Sequence, residues 1–224
     1  MFSICLSGQM DIREIKRLVK EGETDTLEFK RKANFPEKIV KEIVAFTNTK
    51  GGKLFIGVDD DRSVTGVKNF SEDIYSLREA ITHYCTPPIK YRLDVVKVNE
   101  KRAVLMYTIF ESREKPHFVI DNMNGRNKKS YIRLADRSIQ ASHEMVEIFK
   151  KRKRKENIKV NFGEKEKILM RYLGEQGSIT LNKFIEIAGI NRATASRTLV
   201  WLVSANILDI VAREEEDVFI QKIQ

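Results

Sequence analysis

The sequence predicts an α+β protein, in which a domain with a mixed sheet and flanking helices is followed by a small, mainly helical domain. Two observations lead to this expectation. Up to about residue 150, segments with helical spacing of apolar residues are mixed irregularly with short apolar strands, an order typical of α+β domains. Beyond a basic run, three short helical segments separated by single glycines precede two short strands. A chain of 224 residues is long enough for both domains.

The first domain begins with a helix in which apolar residues recur at helical spacing from Ile12 and which ends near Gly22. A second helix is predicted over residues 37–47. It ends at "NTKGG", because the two glycines supply the positive φ that a helix end and turn require. The apolar "KLFIGV" that follows predicts a central strand of a sheet. Further helices are predicted at "SEDIYSLREAITHYC" and "ASHEMVEIFKKRKRK", with strands between them.

The stretch "TLEFK", between the first two helices, alternates apolar and polar residues and predicts a half-buried strand. Successive side chains of a strand point to opposite faces of its sheet. We therefore expect Leu27 and Phe29 to face the core, and Glu28 and Lys30 to share the opposite face.

The charge balance favours a polyanionic partner. Lys and Arg number 41 against 32 Asp and Glu, which gives a net charge of +9; such an excess is typical of nucleic-acid-binding proteins and also occurs in ordinary basic proteins. Two cysteines are too few for a disulfide framework or a zinc site, so a reducing, cytoplasmic location is expected. The sequence contains no stretch of about 18 uninterrupted apolar residues, so no membrane span is predicted.

A basic run, "KKRKRK" at 150–155, predicts the boundary between the two domains. The expected organisation is a first domain over residues 10–150, a basic linker over 151–163 and a second domain over 164–224. Like charges in a row repel one another unless an anion lies near. The run is thus either a solvated linker or a phosphate-binding segment, with contacts from the five residues Lys150, Lys151, Arg152, Lys153 and Arg154.

The C-terminal pattern of three helices and a hairpin is that of a winged helix-turn-helix domain. On its third helix, one apolar face predicts burial, which leaves Arg192, Thr194, Ser196, Arg197 and Thr198 toward solvent. The first four are candidates for contacts with DNA bases and phosphates. Homodimerisation is expected, because such domains commonly bind paired half-sites. The alternative is a non-catalytic module for dimerisation or protein docking, which the four acids at 214–217 favour because they would repel phosphates.

Several motifs together, "ETDTLEFKRK", "KIVKEIVAFTNTKGGKLFIGVDDDRSVTGV", "KPHFV" and "SYIRLADRSIQAS", make residues 10–150 similar to the Schlafen-type AlbA-like domain. In bacteria this domain is often joined to a C-terminal winged helix, in proteins described as transcriptional regulators. The resemblance therefore implies that residues 10–150, together with the third helix of the second domain, contact nucleic acid, with double-stranded DNA first and structured RNA as the alternative.

The same resemblance implies a second function. Vertebrate Schlafen proteins use three carboxylates as a metal-dependent centre that cleaves RNA, and their pattern falls on Glu23, Glu28 and Asp60 of this chain. Three converging acids suit Mg²⁺ or Mn²⁺, and Lys30 would hold the scissile phosphate. The competing interpretations are solvated surface acids and an acidic site without turnover.

Overall fold

The computed structural model describes residues 10–120, 127–154 and 162–222, so that Cys5 and residues 155–161 of the expected linker lie outside the described part of the chain. The chain divides into two compact units, Met1–Gln140 and Ala141–Gln224. The division falls before the expected boundary at residue 150, because the helix that begins at His143 packs within the second unit.

The first unit contains three helices and nine strands among its described residues. In chain order they are α1 (Ile12–Glu21), β1 (Leu27–Lys30), α2 (Pro36–Asn48), β2 (Gly52–Ile56), α3 (Phe70–Tyr84), β3 (Cys85–Thr86), β4 (Tyr91–Asn99), β5 (Arg102–Ile109), β6 (Phe118–Ile120), β7 (Lys128–Lys129), β8 (Tyr131–Leu134) and β9 (Arg137–Gln140). The first helix, the "LEFK" strand and the helix that ends before the glycine pair are therefore confirmed.

The main sheet of this unit has the strand order β1-β2-β5-β4. Strands β1 and β2 are parallel and joined through α2, whereas β5 runs antiparallel to both of its neighbours. Helices cover both faces: Leu54 and Leu105 belong to a core with α2 and α3, whereas Phe55 and Met106 pack with α1. The predicted fold class, a mixed sheet with flanking helices, is confirmed.

The second unit consists of α4 (His143–Arg154), α5 (Glu164–Gln176), β10 (Ser178–Thr180), α6 (Leu181–Ala188), α7 (Arg192–Ser204), β11 (Leu208–Val211) and β12 (Val218–Gln221). Its three strands form an antiparallel sheet in the order β10-β12-β11. As expected, α5 and α6 end at glycines with positive φ, Gly177 at 76° and Gly189 at 60°. The core joins all four helices to the sheet, and Ile148 of α4 is fully buried in it.

Within the described ranges, no helix combines the length and the apolar character needed to cross a bilayer.

Candidate functional site

Glu28, a predicted metal ligand, is buried rather than solvated. One of its carboxylate oxygens accepts a hydrogen bond from Nζ of Lys30, and the other accepts from Nη1 of Arg133 at 2.8 Å. The sequence predicted a half-buried strand with Glu28 on the face opposite the core, but Glu28 is buried because helices cover both faces of the sheet. Glu28 pairs in register with the buried Leu54 of β2.

Arg133, from the "SYIRLADRS" motif, is the centre of this buried charge cluster. Its side chain is 0% exposed, and Nη1 also donates to Glu42 at 3.0 Å and to Ser138 at 3.1 Å. Nη2 donates to the carbonyl oxygen of Thr24 at 2.7 Å, and the guanidinium lies 4.7 Å from the centre of the Phe46 ring. The cluster therefore ties β8 to α2 and to the segment that leads into β1.

Asn48, in the "FTNTKGG" motif, is a second buried polar centre that sequence reasoning missed. Its Nδ2 lies 2.9 Å from the carbonyl oxygen of His117, 3.1 Å from Oγ of Ser130 and 3.0 Å from the carbonyl oxygen of Tyr131. Its Oδ1 accepts from the backbone N–H of His117 at 2.8 Å. An amide just after the apolar run "IVAF" at 43–46 was the signal that could have identified it, because a buried amide needs partners for each polar atom.

The other two predicted metal ligands lie together. Glu23 and Asp60 line a cavity of about 400 Å³, with Asp59 and Asp136 among the other acids of its wall; among the described residues that line it, Glu28 does not appear. Burial raises the pKa of Glu23, and the nearby carboxylate of Glu28 raises it further, whereas the hydrogen bond from the backbone N–H of Phe29 opposes the shift. We call this space the acidic cavity.

The expected three-carboxylate set does not fit a divalent ion in this arrangement. Both oxygens of Glu28 are held by cationic side chains, those of Lys30 and Arg133, whereas a Mg²⁺ or Mn²⁺ ligand must offer a lone pair to the ion. Across residues 10–120, 127–154 and 162–222, no group of three or more His, Cys, Asp or Glu side chains is placed to hold a metal.

A larger cavity of about 800 Å³ lies next to the acidic one and shares Asp59 with it. Four basic residues contribute to its lining: Arg31, Lys32, Lys68 and Arg102. Arg31 and Lys32 directly follow β1, and Asp59 lies just after β2, so both cavities lie at the carboxyl ends of the two parallel strands. Ligand sites are often found at this end of such strands. We call this larger cavity the cationic cavity.

On α7, the four predicted DNA contacts separate into exposed and buried residues. Arg192 and Arg197 are exposed and Thr194 is half-buried. Ser196 is buried, and its hydroxyl donates to Oε1 of Glu144 at 2.6 Å. The expectation that Ser196 and Thr198 face solvent is wrong, because both are buried in a unit in which α4 packs against α7.

The basic run is helical from Lys150 to Arg154 and forms the last turns of α4, which agrees with the helix predicted over "ASHEMVEIFKKRKRK" and not with a linker that starts at residue 151. Lys150 pairs with Glu147 at 2.7 Å, and Nζ of Lys151 lies 4.6 Å from the centre of the Trp201 ring on α7. The remaining cations, Arg152, Lys153 and Arg154, are exposed. The cations thus lie on a folded helix that is packed against α7.

Glu216 and Asp217, in the loop between β11 and β12, are bound within the second unit. Oε1 of Glu216 accepts from the backbone N–H of Asn182 in the first turn of α6, at 2.9 Å. Asp217 accepts a hydrogen bond from Ser142, whose hydroxyl in turn accepts from the backbone N–H of Met145 in the first turn of α4. Burial raises the pKa of Asp217.

Two solved structures show weak likenesses to this chain. The N-terminal domain of a RecG-related protein from Nitrosomonas europaea aligns at 16% identity over 60% of this chain and 97% of that domain, with a TM-score of 0.43. A protein from Corynebacterium diphtheriae aligns at 16% identity over 57% of this chain and 24% of its own length, with a TM-score of 0.40. Neither likeness is strong enough to carry an argument about function.

The comparison with protein families is more specific. The model of the family described as "Schlafen, AlbA_2" matches residues 23–142. This range includes the buried cluster of Arg133, the residues that line the cationic cavity, and those that line the acidic cavity except Glu21 and Gly22. The match extends over more than half of the 224 residues, so the chain belongs to the Schlafen AlbA_2 family.

Proposed function

We propose that this protein binds double-stranded DNA through its second unit and acts as a transcriptional regulator. The order helix, strand, helix, helix, hairpin in α5 to β12 supports a winged helix-turn-helix domain, in which the third helix enters the major groove. Membership of the AlbA_2 family supports a general association with nucleic acid.

One observation carries the proposal: α7 buries one face in the core and exposes two arginines near its N-terminal end, while the cationic end of α4 packs against the same helix. Leu199 and Leu202 are buried, whereas Arg192 and Arg197 are exposed. Contacts from Lys and Arg to phosphates supply most of the affinity of proteins for DNA. The surface proposed for DNA is therefore α7 with the cations 150–154 of α4, without Ser196.

Lys30 has a different position from the other predicted contacts. Its ammonium group is bound to Glu28 and its side chain is 38% exposed, so any phosphate contact must compete with that ion pair. We assign Lys30 a secondary role in DNA binding.

We also propose a cytoplasmic homodimer, because helix-turn-helix proteins commonly bind palindromic sites through two copies. Light scattering of the purified protein measures its mass directly.

The proposal is tested by fluorescence anisotropy with duplex DNA and the variant Arg197→Ala. We expect an affinity loss of about tenfold and a salt dependence shallower by about one unit of slope, because one phosphate contact is lost. Arg171→Ala on α5, also an exposed arginine, is the matched control and should bind like wild type. Equal affinities for all three proteins at low salt would remove α7 from the interface.

A metal-dependent endoribonuclease is the second candidate. It is favoured by Glu23 and Asp60, which line one cavity, and by the cationic cavity beside it; the position of Glu28 opposes it. RNA cleavage in Mg²⁺ or Mn²⁺ should fall more than about tenfold in Asp60→Asn if Asp60 takes part. The adjacent, exposed Asp61→Asn is the control. Indistinguishable RNA loss in wild type and both variants excludes this candidate, and failure to bind any nucleic acid would leave the protein-interaction module.

A further inference from the structure

We infer that strand β4 of the first unit joins two copies of this chain, by pairing antiparallel with β4 of the second copy around a two-fold axis at Leu93. The inference rests on the homodimer of the proposed function and deepens it, because it names the surface that forms the dimer. It does not depend on DNA binding by the second unit.

Strand β4 has an open edge. It ends the strand order β1-β2-β5-β4 and runs over nine residues, whereas β1 at the opposite edge has four. Among the described strands β4 pairs with β5 alone, in a regular register from Tyr91 to Lys97. Its sequence, "YRLDVVKVN", contains no proline, which natural proteins use to block such edges. An edge of this kind can pair with the strand of another molecule.

The hydrogen-bond pattern identifies the backbone groups that face the open edge. The backbone N–H of Phe110 donates to the carbonyl oxygen of Lys90 at 3.3 Å. Bonded and non-bonded positions alternate along an antiparallel pair, so the backbone groups of Arg92 and Asp94 face β5. Those of Leu93, which lies between them, face away from β5 and can bond a second strand.

The charges of β4 select the register of that second strand. Arg92 and Asp94 lie on one face of the sheet, where Nε of Arg92 donates to Asp94 at 3.0 Å. Pairing centred on Leu93 places Arg92 opposite Asp94 of the second copy, and the reverse, at positions where cross-strand side chains lie closest. A centre one residue earlier or later would place Arg92 or Asp94 opposite its own copy, and opposed like charges are destabilising.

The other face of β4 is complementary in the same register. Tyr91 and Leu93 are half-buried against the core formed with α2 and α3, and Val95 is 36% exposed. Pairing centred on Leu93 places this residue opposite its own copy and Tyr91 opposite Val95 of the second copy, and aromatic and β-branched side chains stabilise each other across strands. One register therefore joins opposite charges on one face and apolar side chains on the other, which favours a second copy over an unrelated chain.

The test measures the mass of the full chain by light scattering across protein concentration, without DNA. Arg92→Asp and Asp94→Arg each place like charges opposite each other, and should weaken dimerisation by about tenfold or more. An equimolar mixture of the two variants regains both opposite-charge pairs, and should form a heterodimer. The double variant Arg92→Asp, Asp94→Arg should dimerise like wild type, and so should the control Arg17→Asp, at an exposed position on α1.

Cysteine crosslinking tests the register in a Cys5→Ser chain, in which the remaining Cys85 is buried. Leu93→Cys should form a disulfide-linked dimer under mild oxidation, because Cα atoms of a directly opposed pair lie about 5.5 Å apart, within disulfide range. Val95→Cys is the control and should not crosslink, because the two copies of Val95 lie about 13 Å apart along the strands.

Three outcomes would overturn the inference. A monomeric wild type would remove it together with the proposed homodimer. A dimer that persists in both single charge variants, or that their mixture does not restore, would remove it alone and leave the homodimer to another surface. A crosslink through Val95→Cys rather than Leu93→Cys would show a different register. Arg197→Ala should leave the mass unchanged, so loss of duplex binding and loss of dimerisation are measured separately.

Discussion

The buried charge cluster of the first unit and the cationic helices of the second unit use the same residue types for opposite purposes. Around Arg133, one guanidinium is surrounded by Glu28, Glu42 and Ser138, and its side chain is 0% exposed. Along α4 and α7, arginines and lysines are exposed and exceed the acids near them. The comparison shows that burial and partners, rather than residue type, decide whether a charged motif residue holds the fold or is available to a ligand.

The largest effect should come from Arg133→Met. Among the described residues, Arg133 is the only cation that pairs with both Glu28 and Glu42. Its removal leaves both buried carboxylates without this partner, and breaking a buried ion pair in this way lowers the free energy of unfolding by about 3–5 kcal/mol. We expect the first unit to unfold at a lower urea concentration, measured by hydrogen exchange of amides in β1 and α2.

Arg152→Met is the matched control from the other region. Arg152 is exposed on α4, so the second unit should change in stability by less than about 0.5 kcal/mol, while duplex affinity falls if this helix contacts phosphates. A first unit that keeps its full stability in Arg133→Met would show that the cluster is not structural, and the distinction between the two regions would fail.

Periodicity in the sequence predicted the elements that local chemistry determines. Helix α1 ends where Gly22 was expected to end it, and Gly177 and Gly189 have the positive φ that closes α5 and α6. These features depend on backbone preferences of a few neighbouring residues. The N-cap of α7 is of the same kind, since Oδ1 of Asn191 accepts from the backbone N–H of Thr194 at 2.9 Å.

The candidate sites were harder to predict, because they depend on contacts between distant parts of the chain. Alternation in "TLEFK" predicted one open face, but α2 covers the face on which Glu28 lies. Its partner Arg133 is more than a hundred residues away, and no local pattern pairs them. Ser196 was placed in solvent for the same reason: nothing near it in the sequence indicates that α4 packs against α7.

The smallest effect we predict is a pH-dependent change in stability caused by Glu23, which lines the acidic cavity. Burial raises the pKa of Glu23 above its usual value of 4.5, so above pH 4.5 the unfolded chain loses this proton before the folded chain does. The carboxyl group therefore contributes stability that is present below pH 4.5 and is lost as the pH rises through the folded-state pKa. Glu23→Gln retains an oxygen that can accept from the backbone N–H of Phe29 and has no proton to lose.

We therefore expect the free energy of unfolding of Glu23→Gln, relative to wild type, to rise across the window that starts at pH 4.5 and to level off above the folded-state pKa. Urea titrations at several pH values measure this difference, and amides of α5 to α7 provide an internal reference that should not respond. A relative stability that falls with pH would mean that the hydrogen bond from Phe29 outweighs burial. Glu23 would then belong with the paired acids of the Arg133 cluster, and the acidic cavity would lose the raised pKa of this carboxyl.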